Sequence, residues 1–161
     1  MDTIIHLLEG EEEISALLTD IPNRNHGMYK VTFESGYENL FFTDVETGKW
    51  IEEDLGFTQL AEQIGEEVRK FCPSLFHVPK ILTWHKEYTN KKLMLFGFFN
   101  FAKGSTKMYE IYNGNKKYMY TLLETENDEW QILGSNTEGL ENIDNYFLRN
   151  VIQILPYYTS V

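Results

Sequence analysis

The sequence contains little cysteine and no long apolar run. Its single cysteine, Cys72, excludes an internal disulfide framework and a four-cysteine zinc site, and it is compatible with a reducing compartment. The longest apolar stretch covers residues 93–99, seven positions in all, whereas a membrane-spanning helix needs about 20. The start, MDTIIHLLEGEEE, lacks the basic residues of a signal peptide. We therefore expect a cytoplasmic protein without a membrane span.

Catalytic and cofactor motifs are also missing from the sequence. It contains no His-Glu-x-x-His run and no nucleophile elbow. A phosphate-binding loop requires Gly-Lys-Ser/Thr, but the nearest match, residues 103–105, reads Lys-Gly-Ser. The sequence therefore favours a non-enzymatic protein over an enzyme, and we predict no catalytic residue, no cofactor and no metal.

Chain length and composition predict one folded domain. The chain has 161 residues, of which 42% are hydrophobic and 15% aromatic. Domains commonly contain about 100–200 residues, and this apolar content is enough to offset the entropy of ordering the chain. No internal repeat with a period of 20–50 residues is visible. We predict a single domain that spans residues 1–161.

The first half of the chain predicts two helices separated by short strands. Apolar residues between Ile4 and Ile21 recur at three- and four-residue steps, which predicts an amphipathic helix with a break at Gly10. Alternation predicts strands at 29–33, 40–45 and 49–51. A second apolar stripe, from Phe57 to Phe71, predicts the best helix of the sequence. The acidic residues 52–54 precede this helix and are expected to stabilise its N-terminus.

The second half predicts a run of antiparallel strands followed by a helix. Strands are expected at 80–88, 93–101, 107–112, 117–125 and 130–133. Asn113-Gly114 is the strongest hairpin signal. Strand 93–101 is apolar on both faces, so we expect both faces to be covered. Helical spacing from Leu140 to Ile154 predicts a third helix that ends at Pro156.

These elements together predict the α+β fold class. Strands follow one another in runs while the helices are segregated, which is typical of α+β proteins. We expect one antiparallel meander of about five to eight strands, backed by two or three helices. Its central tyrosines and phenylalanines should be covered by those helices while the neighbouring lysines remain in solvent. If strand 117–125 is an edge, it also offers a surface for homodimer formation.

Charge is distributed unevenly along the chain. Residues 1–79 carry 16 Asp and Glu against five Lys and Arg, a net charge of -11. Residues 80–120 carry eight lysines against two glutamates, a net charge of +6, and residues 121–161 carry seven acids against one arginine, a net charge of -6. An acidic N-terminal half and an acidic C-terminal end therefore flank a basic middle segment.

Two groups of residues are candidates for binding. The first would line a ligand pocket between sheet and helix, with aromatic side chains as its walls and with His85 and Glu87, two apart on one face of a strand, among its polar groups. Its members are His85, Glu87, Tyr109, Tyr118 and Tyr120. The second group would bind anions through ammonium groups, and its members are Lys103, Lys107, Lys116 and Lys117. A half-exposed strand face and a solvated surface are the respective structural alternatives.

Three functions follow from this distribution of residues. The first is a non-enzymatic interaction protein, like an inhibitor, immunity or adaptor protein, that presents acidic surface to a basic protein partner. The second is a small-ligand-binding or hydrolase-like pocket. The third is binding of single-stranded nucleic acid or another anion by the lysine- and tyrosine-rich strands. The net charge of -11 repels a polyanion and disfavours the third function.

Overall fold

The chain forms two compact units with the same order of elements. The computed structural model describes residues 2–21, 27–72, 79–89, 91–125, 127, 129–135 and 145–159. Unit 1 is Met1–Lys80 and unit 2 is Ile81–Val161. Each contains a five-stranded antiparallel sheet followed by one helix. The α+β combination of antiparallel sheets and separate helices is present, with two sheets in place of the one expected. The single domain stays a prediction.

Unit 1 is a meander in which each strand pairs with the next one along the chain. Its elements are β1 (Asp2–Glu9), β2 (Glu12–Asp20), β3 (Met28–Phe33), β4 (Glu38–Thr43), β5 (Trp50–Glu52) and α1 (Gln59–Phe71). The sheet order is β1-β2-β3-β4-β5. The three strands expected between residues 29 and 51 are confirmed, with boundaries shifted by one or two residues.

The helix predicted over residues 4–21 is wrong, because this segment forms the β1–β2 hairpin. Ile5 and Leu7 face the core, whereas Ile4 and Leu8 are 67% and 63% exposed. Apolar residues on both faces of a strand produce three- and four-residue steps that resemble those of a helix. Gly10, the predicted break, has a φ of 65° and makes the tight turn. A period of two therefore governs this segment.

Helix α1 covers one face of the first sheet. Its buried residues, Ala61, Ile64 and Val68, join a core cluster with β1 to β5. The indole of Trp50 lies so close to α1 that a Cβ atom on Gly65 would fall 2.1 Å from its Cδ1. Thr58 caps the helix, since its hydroxyl accepts a hydrogen bond from the backbone nitrogen of Ala61 at 3.0 Å. The predicted helix is thus confirmed, with its start at Gln59.

Unit 2 is a second meander and confirms the five strands expected there. Its elements are β6 (Thr83–Thr89), β7 (Lys92–Lys103), β8 (Thr106–Asn113), β9 (Tyr118–Glu124), β10 (Trp130–Ser135) and α2 (Asn145–Thr159). The sheet order is β10-β9-β8-β7-β6. Strand β9 therefore lies between two neighbours, and the suggestion that strand 117–125 is an edge is wrong. Homodimer formation stays a prediction, but an exposed edge at strand 117–125 no longer supports it.

Helix α2 extends past the proline that was expected to end it. Its range includes Pro156, so the predicted stop is wrong. Proline removes one helical hydrogen bond and disfavours the helical conformation of the residue before it. That residue, Leu155, is fully buried in the unit 2 core, and its packing offsets this local cost. The predicted start of the helix, Leu140 and Ile143, lies outside the described residues.

The core of unit 2 lies between α2 and one face of its sheet. Val151 and Leu155 of α2 pack in a cluster that includes Phe96, Tyr109 and Tyr120. The expectation that helices cover central aromatic rings is confirmed for these residues. The opposite face of β7 is only partly covered, because Leu93 is 54% exposed. Complete cover of both faces is therefore wrong at this end of the strand.

Candidate functional site

Two of the residues that were predicted to line a ligand pocket, His85 and Glu87, are in contact in unit 2. His85 Nε2 lies 3.4 Å from Glu87 Oε2, and the imidazole packs 5.4 Å from the ring of Phe96. Neighbouring positions of an extended strand alternate in direction, so this pair shares the face of β6 that the sequence indicated. This contact joins two side chains of the same strand. A role in ligand binding stays a prediction.

The three predicted tyrosines are buried. Tyr109, Tyr118 and Tyr120 expose 1%, 5% and 0% of their surface. A stacking role for bases requires open ring faces. Tyr118 and Tyr120 lie two positions apart on β9 but point to opposite faces of the sheet. A register shift at Ile111/Tyr112 pairs Tyr112 with Tyr118, whose hydroxyl lies 2.6 Å from that of Thr121.

The four predicted anion-binding lysines lie in different environments. Lys103 and Lys107 are exposed, Lys116 is half-buried, and Lys117 is 1% exposed. The expectation that all lysines of these strands remain in solvent is therefore wrong for Lys117. Lys116 has a φ of 63° in the β8–β9 turn, which sets it apart in backbone conformation from the strand lysine Lys107. The four lysines do not share one exposed surface.

Sequence reasoning missed a histidine cluster on the β1–β2 hairpin, because that segment was predicted to be helical. Ser15 Oγ lies 3.1 Å from His6 Nδ1, and Glu13 Oε1 lies 3.3 Å from the same nitrogen. A Ser-His-acid triad needs its hydroxyl and its carboxylate on opposite ring nitrogens, so that the base is oriented while it accepts the proton. Here both contact Nδ1. This geometry does not make a nucleophilic triad.

Unit 1 contains a cleft of about 520 Å3 where three segments meet. The segments are the tip of the β1–β2 hairpin, the β3–β4 turn and the first turns of α1. Its lining residues are Leu8, Glu9, Gly10, Ile14, Phe33, Glu34, Ser35, Tyr37, Gln59, Leu60 and Gln63. The side chains combine an apolar surface with carboxylate, amide and hydroxyl groups. The described residues that line it include two glutamates and no lysine or arginine.

An aromatic pair forms one wall of this cleft. The rings of Phe33 and Tyr37 stack with centroids 5.6 Å apart and an angle of 30° between their planes. Phe33 is buried, while Tyr37 is 43% exposed. The pair flanks the β3–β4 turn, so the hairpin itself brings the two rings together. A flat aromatic surface of this kind suits a planar or cationic group.

A buried carboxylate holds that wall in place. Tyr37 donates a hydrogen bond from its hydroxyl to Glu52 Oε1 at 2.5 Å, and Thr58 donates from its hydroxyl to Glu52 Oε2 at 2.8 Å. Asn39 Nδ2 lies 3.0 Å from the Tyr37 hydroxyl. The hydrogen bond to Glu52, followed by burial, raises the pKa of Tyr37. Glu52 thus joins the cleft wall to the N-terminal cap of α1.

Comparison with known proteins adds no family to this description. A scan against protein-family models, a search of curated proteins and a search of solved structures each find no match. Among the residues that the structure describes, no three His, Cys, Asp or Glu side chains gather as a metal site. Within the same residues, neither helix is long and apolar enough to cross a bilayer.

Proposed function

We propose that this chain is a non-enzymatic interaction protein whose acidic unit 1 binds a basic protein partner. The observation that carries the proposal is the difference in charge between the units. Unit 1 carries 16 Asp and Glu against six Lys and Arg, a net charge of -10, whereas unit 2 carries nine against eight, a net charge of -1. Charge of one sign on one unit steers a partner of opposite charge and suppresses partners of like charge.

The cleft of unit 1 supports the same proposal. Its rim carries Glu9 and Glu34, and Glu11 to Glu13 follow on the adjoining hairpin. An acidic surface with an apolar floor fits a partner whose basic side chains have long aliphatic stems. The proposed role is inhibitor-like or adaptor-like, in the cytoplasm where the free thiol of Cys72 remains reduced.

The histidine geometry favours binding over catalysis. His6 has both of its polar neighbours on one ring nitrogen, and His85 contacts Glu87 at 3.4 Å. A general base normally sits between a group that orients it and a group whose proton it accepts. His6 does not have this arrangement, because the Ser15 hydroxyl and the Glu13 carboxylate both contact Nδ1. The contacts of His6 are therefore those of a binding surface and do not form a catalytic triad.

The test is capture followed by binding with purified proteins. Tagged chain is used to isolate partners at low ionic strength, and each partner is then purified and titrated against the chain. We expect a basic partner whose affinity falls as salt rises from about 0.1 M to about 1 M, because the Debye length shortens from about 10 Å to about 3 Å. Partners that are all acidic or neutral, or binding that is insensitive to salt, would contradict the proposal.

The cleft also favours a second candidate function, the binding of a small organic cation. Its volume of about 520 Å3 lies within the range of about 300–1,000 Å3 that is common for small-ligand sites. The measurement is ligand-observed NMR with a panel of aromatic and aliphatic amines. Saturable binding that Glu34→Gln abolishes would support this function, and no binding by any amine would reject it.

A further inference from the structure

We propose that the cleft of unit 1 binds an arginine side chain presented by the basic partner. The inference rests on the proposed function and names the group that the partner inserts. Three features of the cleft support the proposal: the aromatic wall, the two carboxylates among the lining residues, and the apolar floor. Each matches a different part of an arginine side chain.

The aromatic wall matches the guanidinium plane. Tyr37 stacks on Phe33 with ring centroids 5.6 Å apart, lines the cleft and is 43% exposed. A guanidinium is planar, weakly hydrated and stacks on aromatic faces, whereas an ammonium is compact and strongly hydrated. The wall therefore discriminates arginine from lysine.

The carboxylates match the charge and the donors of the same group. Glu9 reaches the cleft from the β1–β2 hairpin and Glu34 from the β3–β4 turn, so the two anions approach from different segments. Guanidinium N–H groups donate to carboxylates in a fixed fork geometry. Gln59 and Gln63 lie one helical turn apart on α1 and add amide oxygens as acceptors. No basic side chain among the lining residues competes for these groups.

The apolar floor matches the aliphatic stem of arginine. Ile14 and Leu60 line the cleft beside the rings and are partly buried, and arginine commonly buries its methylene groups along such surface. The wall is also fixed before binding, because the hydroxyl of Tyr37 is bonded to the buried Glu52. A preorganised site loses less entropy when it binds its ligand.

The experiment is an NMR titration of the full chain with short peptides. The probe is acetyl-Gly-Gly-Arg-Gly-Gly-amide, and the comparison peptides carry lysine or citrulline in place of arginine. We expect saturable shifts of the Gly10 backbone amide and of the Gln59 and Gln63 side-chain amides. Lysine should bind about tenfold more weakly, and citrulline, which lacks the charge, should not bind detectably. Equal binding of lysine or of citrulline would overturn the assignment.

Charge-matched variants separate the cleft from the general acidity of unit 1. The double variant Glu9→Gln/Glu34→Gln should weaken the arginine peptide about tenfold or more. Asp2→Asn/Glu66→Gln removes the same charge from exposed positions of unit 1 outside the cleft and should leave binding within about twofold. Equal weakening by both double variants would show that only net charge matters and would reject the site.

Two further experiments distinguish failure of the arginine site from failure of the proposed function. Methylguanidinium, which lacks the aliphatic stem, should bind more weakly than the peptide. Equal binding would instead make the cleft a site for small cations. If Glu9→Gln/Glu34→Gln retains the purified basic partner with unchanged affinity, the arginine site is rejected while the proposed function stands. If the unmodified chain binds no basic partner, the proposed function itself fails.

Discussion

The two units share an order of elements but differ in the chemistry of their side chains. In the part of the chain that the structure describes, each has five antiparallel strands in meander order followed by a helix. Unit 1 has a net charge of -10 and two of the ten tyrosines, whereas unit 2 has a net charge of -1 and eight tyrosines. The same order of elements is therefore compatible with two sequences that differ in net charge and in tyrosine content.

The two units also use glycine and tryptophan differently at points of close packing. In unit 1, the Trp50 ring on β5 lies against Gly65 in the middle of α1, and it fixes how closely helix and sheet approach. In unit 2, the Trp84 ring on β6 lies over Gly97, its direct partner on β7. Because glycine has no Cβ, the indole of Trp50 fits between helix and sheet in unit 1, and the indole of Trp84 fits over the neighbouring strand in unit 2.

The largest expected effect on stability comes from replacing one large buried side chain in the core of each unit. Phe41 in unit 1 and Phe96 in unit 2 are both fully buried. Phe41→Ala and Phe96→Ala should each lower the free energy of unfolding by about 3–5 kcal/mol, since each leaves a cavity. Hydrogen exchange with peptide resolution should show that each variant loses protection mainly in its own unit. Equal loss across residues 1–161 in both variants would instead indicate one cooperative domain.

A smaller effect is expected from adding one methyl group at the two glycines. At an open helix position, Gly→Ala stabilises by about 1 kcal/mol. At Gly65 the added Cβ would lie 2.1 Å from Trp50 Cδ1, so Gly65→Ala should instead destabilise unit 1 by about 2 kcal/mol. At Gly97 the closest Trp84 atoms lie at 3.0 Å, and the loss should be about 1 kcal/mol. Urea denaturation followed by tryptophan fluorescence measures both, and stabilisation by Gly65→Ala would contradict the close packing.

The sequence predicted the elements of unit 2 better than those of unit 1, and the reason is periodicity. The alternation around Asn113-Gly114 is typical of a hairpin, and all five strands of unit 2 are observed. The β1–β2 hairpin carries exposed apolar residues such as Ile4 and Leu8, so its outer face adds a misleading helical period. The spacing of apolar residues cannot distinguish a helix from a hairpin here unless it is known which face is buried.

The cleft could not be predicted from spacing along the chain. Its glutamates, Glu9 and Glu34, lie 25 positions apart, and Gln59 follows in a third segment. Only the order of strands in the sheet brings these residues together. Glu52 was expected as one of three acids before a helix, yet it is buried and bonds to both Thr58 and Tyr37. The second partner, Tyr37, comes from another part of the chain and could not be predicted from the residues next to Glu52.

Alkaline pH should test the difference in tyrosine environment. Burial, with the nearby Asp20 carboxylate, raises the pKa of Tyr29 in unit 1 to about 12. Burial, together with the charge and hydrogen bond of Glu110, raises the pKa of Tyr112 in unit 2 well above its usual range. Unfolded tyrosine titrates near pH 10, so the stabilisation is complete below about pH 10 and is lost as pH rises toward the folded pKa.

Tyrosinate absorbance and circular dichroism, recorded together across this alkaline range, measure that loss. Tyr29→Phe should move the unfolding transition of unit 1 to higher pH, because the ring can no longer ionise in the unfolded chain. Tyr88→Phe, at an exposed position of β6, is the control and should leave the transition where it is. Ionisation of all ten tyrosines near pH 10 without unfolding would show that the buried rings are not protected.

The smallest effect is expected at a surface ion pair of unit 1. Lys30 Nζ lies 3.0 Å from Glu38 Oε1, and the Thr32 hydroxyl donates to Glu38 Oε2 at 2.9 Å. These contacts, the lysine first, lower the pKa of Glu38. A lowered pKa means that the stabilisation is present above the unfolded pKa and is lost as pH falls through the folded pKa. Exposed pairs of this kind contribute little, and salt screens them.

A double-mutant cycle with Lys30→Met and Glu38→Gln isolates this pair in unit 1. The coupling should be favourable near neutral pH, smaller than the loss from Gly97→Ala, and absent in acid once Glu38 is protonated. In an NMR titration, Lys30→Met should move the pKa of Glu38 back toward its ordinary value. A coupling that persists unchanged below the pKa of Glu38 would show that Thr32 or packing, and not the charge of Lys30, holds the carboxylate.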